Sequence, residues 1–355
     1  MEHLKRKKVL FFVNSHLAGA ERMTINISEY LDPKSYNVVF YVVGKDFGLV
    51  EKVFPEGAVK RLIRVKSFKD FLFFRLINVL WTERPSIVFS SLMPINWRLC
   101  FASFFSPSKK VIIRANNYLY TQSLIQKIRL FFAYRFAHTI IVQTSEMMDE
   151  HIRVLKLSNR KVIDLANPVN TENINNKLQD AVSPYTAGNI NYAFVGRIHR
   201  VKGLDILLRA FFEVVKVQSE AKLYLIGEYS GVFQSYYKDL LKLTDELGLA
   251  ESVVFKGFTD NPYPYMKFAD CFVLPSRNEG LPNVVIEALY VNTPVAVTVS
   301  IPVIRRIVAE GVNGFLADVE DIEGLAKAML ASANLGRVKT RYTSATKEDF
   351  LKLFS

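Results

Sequence analysis

A chain of 355 residues, half of them hydrophobic and 23% charged, is long enough for about two domains and excludes a disordered, collagen-like or low-complexity protein. Its 46 Lys and Arg residues outnumber its 34 Asp and Glu residues, and the whole net charge of +12 falls within 60–135, where only Asp70 and Glu83 are acidic. Such localised charge predicts contact with something anionic: nucleic acid, a membrane or a phosphorylated substrate.

Short runs of β-branched and aromatic residues alternate with helical patterns along the first half of the chain. Buried strands separated by helices form parallel βαβ units, so this half predicts a parallel sheet. Its strands are predicted at 9–13, 38–43, 87–90, 111–114, 139–142 and 161–164, and its clearest helix at 21–31.

A polar, Asn-rich stretch follows Asn167-Pro168-Val169, and the alternation then begins again. Strands are predicted at 191–195, 222–226, 253–256, 271–274 and 294–298, with helices at 204–218, 234–247, 283–290 and 322–331. We predict two tandem doubly wound, Rossmann-like α/β domains, with ligands at the carboxyl ends of their strands in an interdomain cleft. The predicted boundaries are 1–170 for the first domain, 171–189 for a linker, 190–335 for the second domain, and 336–355 for a C-terminal segment that returns to the first domain as a helix.

The sequence also predicts several absences. Cys100 and Cys271 are too far apart for a disulfide scaffold or a zinc motif, which favours a reducing cytoplasm. The basic start of the chain runs into a short strand without a secretory cleavage site, and no apolar run reaches the roughly 18 residues of a spanning helix. The acids Asp318, Glu320 and Asp321 predict a solvated loop and a helix cap rather than a metal site.

The loop after the first strand contains His16 and ends at Gly19, just before a helix. A glycine there lets the backbone approach a phosphate at the helix N-terminus. The same residues fit an ordinary turn with Glu21 in the first helical turn, and His16 fits a solvated histidine. No G-x-G-x-x-G fingerprint is present, so a nicotinamide oxidoreductase is disfavoured.

A second loop, 196–203, places Arg197 and Lys202 between Gly196 and Gly203, directly after a predicted strand. Two cations at the carboxyl end of a strand suit a diphosphate, although a solvated basic turn has the same composition.

A third loop, 275–288, contains Glu279 before a helix that Pro282 is suited to start and that carries Glu287. Carboxylates suit sugar and ribose hydroxyls, and the N–H groups of a helix start suit phosphate. Alternatively, Glu279 is an ordinary acid at a helix N-terminus.

Taken together and in this order, A-G-A-E-R, G-R-x-x-x-x-K-G and E-G-L-P-x-x-x-x-E-A resemble the motifs of the family 4 retaining glycosyltransferases, which have the GT-B fold. The resemblance covers nearly the whole chain, including Asn167-Pro168-Val169 and Asn313-Gly314-Phe315-Leu316. The chain is similar in particular to bacterial transferases that extend lipid-linked oligosaccharides.

The resemblance implies roles for the residues of these loops. Arg197 and Lys202 would neutralise the donor diphosphate as the nucleotide leaves, Glu287 would hold the ribose, and Gly19 would let the first domain reach the diphosphate. The donor sugar and phosphate would contact Glu279 and the backbone of Gly280, Leu281, Pro282 and Asn283, with Gly196 in the donor loop. It further implies retention of anomeric configuration without a protein nucleophile, a metal or a cofactor.

The sequence departs from that family pattern at three places. Relatives commonly have two glycines where this chain has Ala18-Gly19, a histidine where Asn116 stands, and a glutamate where Arg306 stands. Asn116 can still hydrogen-bond a sugar but cannot be a general base. His16 and Asn116 are therefore candidate acceptor or sugar contacts.

The basic stretch 60–135 also carries many aromatic residues. Basic and aromatic residues on one helix are typical of docking to an anionic bilayer, although amphipathic helices with buried aromatics share the pattern. The residues predicted to dock are Lys66, Lys69, Phe71, Phe74, Arg75, Lys127 and Arg129.

We therefore predict a cytoplasmic glycosyltransferase, peripheral on the inner face of the cell membrane and serving capsule or other surface polysaccharide assembly. It would move a sugar from a nucleotide-sugar, UDP-linked by expectation, to a polyprenyl-diphosphate-linked saccharide, with no nucleic acid as partner. An epimerase of the same shape would need acid/base pairs, and a nucleic-acid-binding protein would bind with steep salt dependence.

Overall fold

The computed structural model describes residues 6–16, 19–55, 57–65, 72–106, 110–228, 234–339 and 345–355. The chain divides into two units, one of residues 1–168 with 344–355 and the other of residues 169–343. The stretch predicted as a linker, 171–189, contains a helix, Thr171–Leu178, and groups with the second unit. Its Lys177 ammonium donates to the carbonyl of Asp260 at 2.6 Å, which ties the helix to that unit.

The first unit is a seven-stranded, parallel sheet flanked by helices. Its strands are β1 Lys7–Asn14, β2 Tyr36–Gly44, β3 Val59–Arg64, β4 Ile87–Ser90, β5 Lys110–Arg114, β6 Thr139–Val142 and β7 Val162–Asp164. Its helices are α1 Gly19–Glu29, α2 Leu72–Glu83, α3 Met93–Phe104, α4 Leu124–Ala133 and α5 Ser145–Leu155, with the last helix of the chain, Lys347–Leu351, also in this unit. The strand order is β3-β2-β1-β4-β5-β6-β7.

Both faces of this sheet are covered, which explains its continuous apolar strands. On one face Phe11 packs with α1 and with Phe354 near the C-terminus, and on the other Leu10 packs with Leu76 of α2 and Leu99 of α3. The residues from Val9 to Val13 have no exposed surface.

The second unit repeats this architecture with six parallel strands. They are β8 Ile190–Val195, β9 Ala221–Ile226, β10 Val253–Gly257, β11 Cys271–Leu274, β12 Val295–Thr298 and β13 Gly314–Ala317. The helices are α6 Thr171–Leu178, α7 Leu204–Val217, α8 Gln234–Glu246, α9 Tyr263–Lys267, α10 Asn283–Tyr290, α11 Ile304–Ile307 and α12 Ile322–Ala333, and α13 is Lys347–Leu351 of the first unit. The strand order is β10-β9-β8-β11-β12-β13, so the order reverses between β8 and β11.

The predicted fold class is confirmed, but two strands of the sheets were not predicted. Both β3 and β13 lie at sheet edges and pair with one neighbour each. Half of β3 is basic, and β13 has four residues that begin with Gly314. The basic residues of β3 interrupt the apolar run that identifies a buried strand, and the glycine that starts β13 is of a type depleted in strands. The other two edge strands, β7 and β10, were predicted.

Among the described residues, no helix has the length and apolar character needed to cross a membrane.

Candidate functional site

The site of the second unit lies where its strand order reverses. Strands β8 and β11 are neighbours, with Cys271 opposite Tyr192, and the loops at their carboxyl ends are those that contain Lys202 and Glu279. In an open parallel sheet, the loops at such a reversal diverge to opposite faces and leave space for a ligand. The topology therefore places two of the predicted loops side by side.

Lys202 and Glu279 meet in these loops. The Lys202 ammonium donates to Glu279 Oε1 at 2.6 Å, and the side chains are 18% and 10% exposed. The hydroxyl of the buried Ser276 donates to the same oxygen at 2.6 Å, so the carboxylate is fixed from two sides. An ammonium has three N–H donors, and its bond to Glu279 leaves two for phosphate oxygens.

The backbone brings the two loops into contact. The N–H of Arg277 donates to the carbonyl of Val201 at 2.8 Å. Gly203 has a φ of +67°, and a Cβ on it would lie 2.1 Å from the carbonyl oxygen of Pro275. Glycine is required here both by the left-handed backbone and by the close approach of the β11 loop.

Arg277 links four segments of this unit. Its guanidinium donates to both carboxylate oxygens of Asp205, at 2.9 and 2.8 Å, to Glu320 at 2.5 and 3.2 Å, and to the carbonyl of Arg200 at 2.6 Å. The Tyr236 hydroxyl donates to Asp205 at 2.6 Å. Bidentate contacts of this kind fix the orientation of a guanidinium as well as its position.

These contacts stabilise the charged form of Asp205. Burial by itself would raise the pKa of Asp205, but hydrogen bonds from Arg277 and Tyr236 outweigh it and lower the pKa to about 2. Because the unfolded value is roughly 3.9, the carboxylate contributes stability above that pH, and the contribution is lost as the pH falls towards 2.

The 196–203 loop also contains Gly196, Arg197 and His199. Gly196 donates its N–H to the carbonyl of Ile226 at 2.9 Å, and the Arg197 side chain is exposed at the mouth of the loop. His199 Nδ1 accepts from the N–H of Val201 at 3.0 Å. The pKa of His199 is lowered by partial burial and then by the positive charges of Arg197 and Lys202.

The third predicted loop leads into α10. Leu281 and Pro282 are buried, Pro282 is the residue before the helix, and the Asn283 N–H donates to the Leu281 carbonyl at 2.9 Å. Gly280 is partly exposed between Glu279 and Leu281, and Glu287, also partly exposed, lies one turn into the helix. Helix α10 thus starts four residues after Glu279 in the chain.

In the first unit, the candidate contacts have local partners. Asn116 follows β5; its amide donates to the carbonyl of Ser91 at 2.6 Å, and its Oδ1 accepts from Gln143 at 3.0 Å. Gly19 is the first residue of α1, and a Cβ built on it would meet no described atom within 4 Å. His16 is exposed in the loop after β1.

Part of the predicted docking surface lies outside the described residues, namely Lys66, Lys69 and Phe71. Phe74 is 63% exposed, and Arg75 donates to the carbonyl of Arg64. Sequence reasoning singled out the cations of α4, Lys127 and Arg129, but missed its exposed apolar face. That face consists of Leu124, Ile125, Ile128 and Phe132, each at least half exposed and spaced along one side of the helix.

The acidic residues near 320 follow the prediction, with one contact that it did not include. Asp321 caps α12 by accepting from the N–H of Gly324 at 2.9 Å, as expected. Glu320 is 58% exposed and also binds Arg277, from a left-handed backbone at φ +67°. Within the described ranges, no cluster of three metal-ligating side chains occurs.

Comparison with known proteins agrees with this architecture. Residues 190–334 match the sequence profile of the family described as "Glycosyl transferases group 1". An uncharacterized glycosyltransferase of Haemophilus influenzae is 25% identical over 338 residues, covering 91% of this chain and 89% of the relative. A Campylobacter jejuni protein is 26% identical over 237 residues, covering 67% and 61%; its name is N-acetylgalactosamine-N,N'-diacetylbacillosaminyl-diphospho-undecaprenol 4-alpha-N-acetylgalactosaminyltransferase.

The extent of these matches varies. For these two relatives and a further one from an archaeon, the match covers between 44% and 89% of the relative's own length. It covers less than two thirds of the Campylobacter and archaeal proteins. Among solved structures, Anabaena HepE in complex with UDP and glucose superposes with a TM-score of 0.76 at 18% identity, covering 93% of this chain and 92% of the other. At that identity the superposition establishes a shared fold.

Proposed function

We propose that this chain is a glycosyltransferase of the GT-B fold that moves a sugar from a nucleotide-sugar to a polyprenyl-diphosphate-linked saccharide in surface polysaccharide assembly. The observation that carries the proposal is the partly buried Lys202 ammonium, fixed by Glu279 at the carboxyl end of β8. A UDP-sugar is the first donor to consider, since the HepE structure of the same fold contains UDP.

The chemistry follows from where charge develops. When the glycosyl–phosphate bond breaks, negative charge builds on the departing nucleotide diphosphate, and preorganised cations stabilise that transition state. Lys202 would donate to the diphosphate from a fixed position, and the exposed Arg197 side chain would also bind the diphosphate. The N–H groups at the start of α10 would add partial positive charge.

The carboxylates would bind the rest of the donor. Glu287 would accept hydrogen bonds from the ribose hydroxyls, and Glu279 would accept one from a sugar hydroxyl while its other bonds keep it in place. Ser276 and Lys202 both donate to Glu279 Oε1, which holds the carboxylate in position to accept from a donor hydroxyl. We infer that the acceptor hydroxyl attacks the anomeric carbon from the side of the leaving group, passes its proton to a donor phosphate oxygen, and so retains configuration.

The proposal is tested with purified protein, a panel of nucleotide-sugars and a polyprenyl-diphosphate-linked saccharide. We expect released UDP to match, mole for mole, the sugar added to the lipid. Glu287→Ala should raise the donor KM by at least about 10-fold, because two hydrogen bonds to a charged group are lost. Conversion of the nucleotide-sugar without release of nucleotide would instead show an epimerase. Unchanged donor KM in Glu287→Ala would contradict its assignment to the ribose.

We further propose that the first unit docks on an anionic membrane through α4. Its apolar face, Leu124, Ile125, Ile128 and Phe132, is exposed rather than buried, which is what insertion at the bilayer boundary requires. Lys127 and Arg129 lie on the same helix, in the stretch that carries all of the net positive charge. Positive charge around an exposed apolar face complements acidic lipid headgroups.

Introducing acidic residues on the apolar face of α4 should weaken the binding of the protein to membranes. We expect the double variant Ile125→Asp, Ile128→Asp to bind vesicles containing anionic lipid at least about 10-fold more weakly, because two apolar side chains no longer leave water. Flotation on vesicles measures the effect. A matched control is Val182→Asp with Val217→Asp, 80% and 71% exposed on the other unit, which should bind like the wild type. Equal binding by both double variants would rule out α4 as the docking element.

A further inference from the structure

Arg277 occupies a position that no motif of the predicted site explains. It lies between Ser276 and Glu279 in the β11 loop, and its backbone and side chain both reach the 200–203 turn, through the carbonyls of Val201 and Arg200. These two contacts lie one and two residues before Lys202. Arg277 therefore holds the loop that carries Glu279 against the turn that carries Lys202.

The side chain of Arg277 is itself held from two directions. Asp205, in the first turn of α7, receives two parallel bonds, and Glu320, from the loop after β13, receives two more. Glu320 makes its contacts from a left-handed backbone that a residue with a side chain rarely adopts. Such a conformation persists where surrounding contacts fix it, and it is concentrated at functional sites.

Surface ion pairs do not share these properties. Arg200 and Asp239 form an ordinary pair of this unit at 3.0 Å, with side chains 70% and 61% exposed. The Arg277–Asp205 pair is less exposed, at 27% and 31%, whereas Glu320 is 58% exposed. The fork geometry of a guanidinium cannot be reproduced by a lysine. The Asp205–Arg277–Glu320 contacts are thus suited to setting a direction rather than only adding charge.

We propose that Arg277 is a positioning residue that aligns Lys202 with the diphosphate of the donor. This inference rests on the proposed function, since it takes Lys202 as the diphosphate-binding cation. Arg277 acts by locking the β11 loop to the 200–203 turn, and the Lys202–Glu279 distance of 2.6 Å is the outcome of that lock. Loss of the lock would leave Lys202 charged but displaced, and a displacement of about 1 Å can cost on the order of 100-fold in rate.

A double-mutant cycle on the binding of UDP tests the inference. Arg277→Lys keeps the charge and removes the fork, and we expect it to raise the Kd for UDP about 10-fold in the wild type but no more than about 2-fold in a Lys202→Ala background. A residue that merely stabilises the unit would weaken binding equally in both backgrounds, and that result would overturn the inference. Asp239→Asn is the matched control and should leave the Kd unchanged.

Glu320→Gln gives the same test from the other side of Arg277 and covers the case in which Arg277→Lys does not fold. It removes the charge of one partner, and its effect should likewise disappear when Lys202 is absent. UDP binding separates this inference from the proposed function, which depends on turnover: additive effects in a protein with transferase activity refute only the role of Arg277. A wild-type chain that binds neither UDP nor any other nucleoside diphosphate would also overturn the inference, because Lys202 would then have no diphosphate to bind.

Discussion

Replacement of Lys202 by alanine is expected to lower kcat about 100- to 1,000-fold, the usual cost of removing one preorganised group that stabilises developing negative charge. The ammonium lies at the carboxyl end of β8, 18% exposed, and its bond to Glu279 fixes its direction before the donor binds. A water molecule in its place would have to be oriented during the reaction. The decrease should be measured under saturating donor, so that kcat and KM are separated.

The control for this variant must separate lost chemistry from lost stability. Removing Lys202 leaves the Glu279 carboxylate with Ser276 as its remaining hydrogen-bond partner among those described above, so thermal unfolding should be recorded for Lys202→Ala and for Lys202→Ala with Glu279→Gln. Lys242→Ala removes an exposed pair with Glu246, 80% and 56% exposed, and should leave kcat unchanged. If Lys202→Ala retained wild-type kcat while folded, Lys202 would not be the diphosphate cation.

Gly203→Ala is expected to lose both stability and UDP binding. Alanine at a φ of +67° costs about 1–2 kcal/mol for the left-handed backbone alone, and its Cβ would also lie 2.1 Å from the carbonyl oxygen of Pro275. Relief of that contact requires the 200–203 turn and the β11 loop to separate, and this would pull Lys202 from Glu279. We expect a total loss of roughly 3 kcal/mol or more in the free energy of unfolding, comparable to other overpacked sites.

Gly248 offers a matched comparison within the same unit. It has a φ of +65°, yet a Cβ there would meet no described atom within 4 Å. Gly248→Ala should therefore show the cost of the backbone without the clash, about 1–2 kcal/mol, and bind UDP normally. Chemical denaturation of both variants isolates the steric contribution at Gly203. Equal losses in the two variants would show that the two loops do not depend on their close approach.

The sequence allowed the fold class to be predicted because the central strands are buried on both faces. Runs such as 9–13 and 271–274 are apolar throughout, and the helices between them have one apolar side. The edge strands β3 and β13 were not predicted because β3 is half basic and β13 begins with a glycine, a residue depleted in strands. The other two edge strands, β7 and β10, were predicted, so position at an edge does not by itself hide a strand.

The candidate site was predicted unevenly, for a related reason. Position at strand ends marked the loops of Lys202 and Glu279 as candidates, and the family resemblance then supplied the roles predicted for these two residues. The lock at Arg277 was not predicted, because its partners Asp205 and Glu320 are 72 and 43 residues away along the chain. No local pattern records such a contact, and Glu320 looked like one acid among several in a solvated loop.

The exposed face of α4 shows the same limit. An amphipathic pattern specifies that one side of a helix is apolar, and it usually indicates the buried side. In α4 the buried contacts are made by Leu130 and Ala133, and the larger apolar side chains point outward. Only the packing of the unit reveals which side is exposed.

Sugar transfer to a lipid-linked acceptor can be followed on the lipid product itself. Wild-type protein is incubated with a UDP-sugar and a polyprenyl-diphosphate-linked saccharide, and the lipid product is analysed by mass and by anomeric configuration. We predict that the acceptor gains one sugar, in the same anomeric configuration as in the donor, for each UDP released. Release of UDP without a change in the lipid, or a product of inverted configuration, would contradict the account.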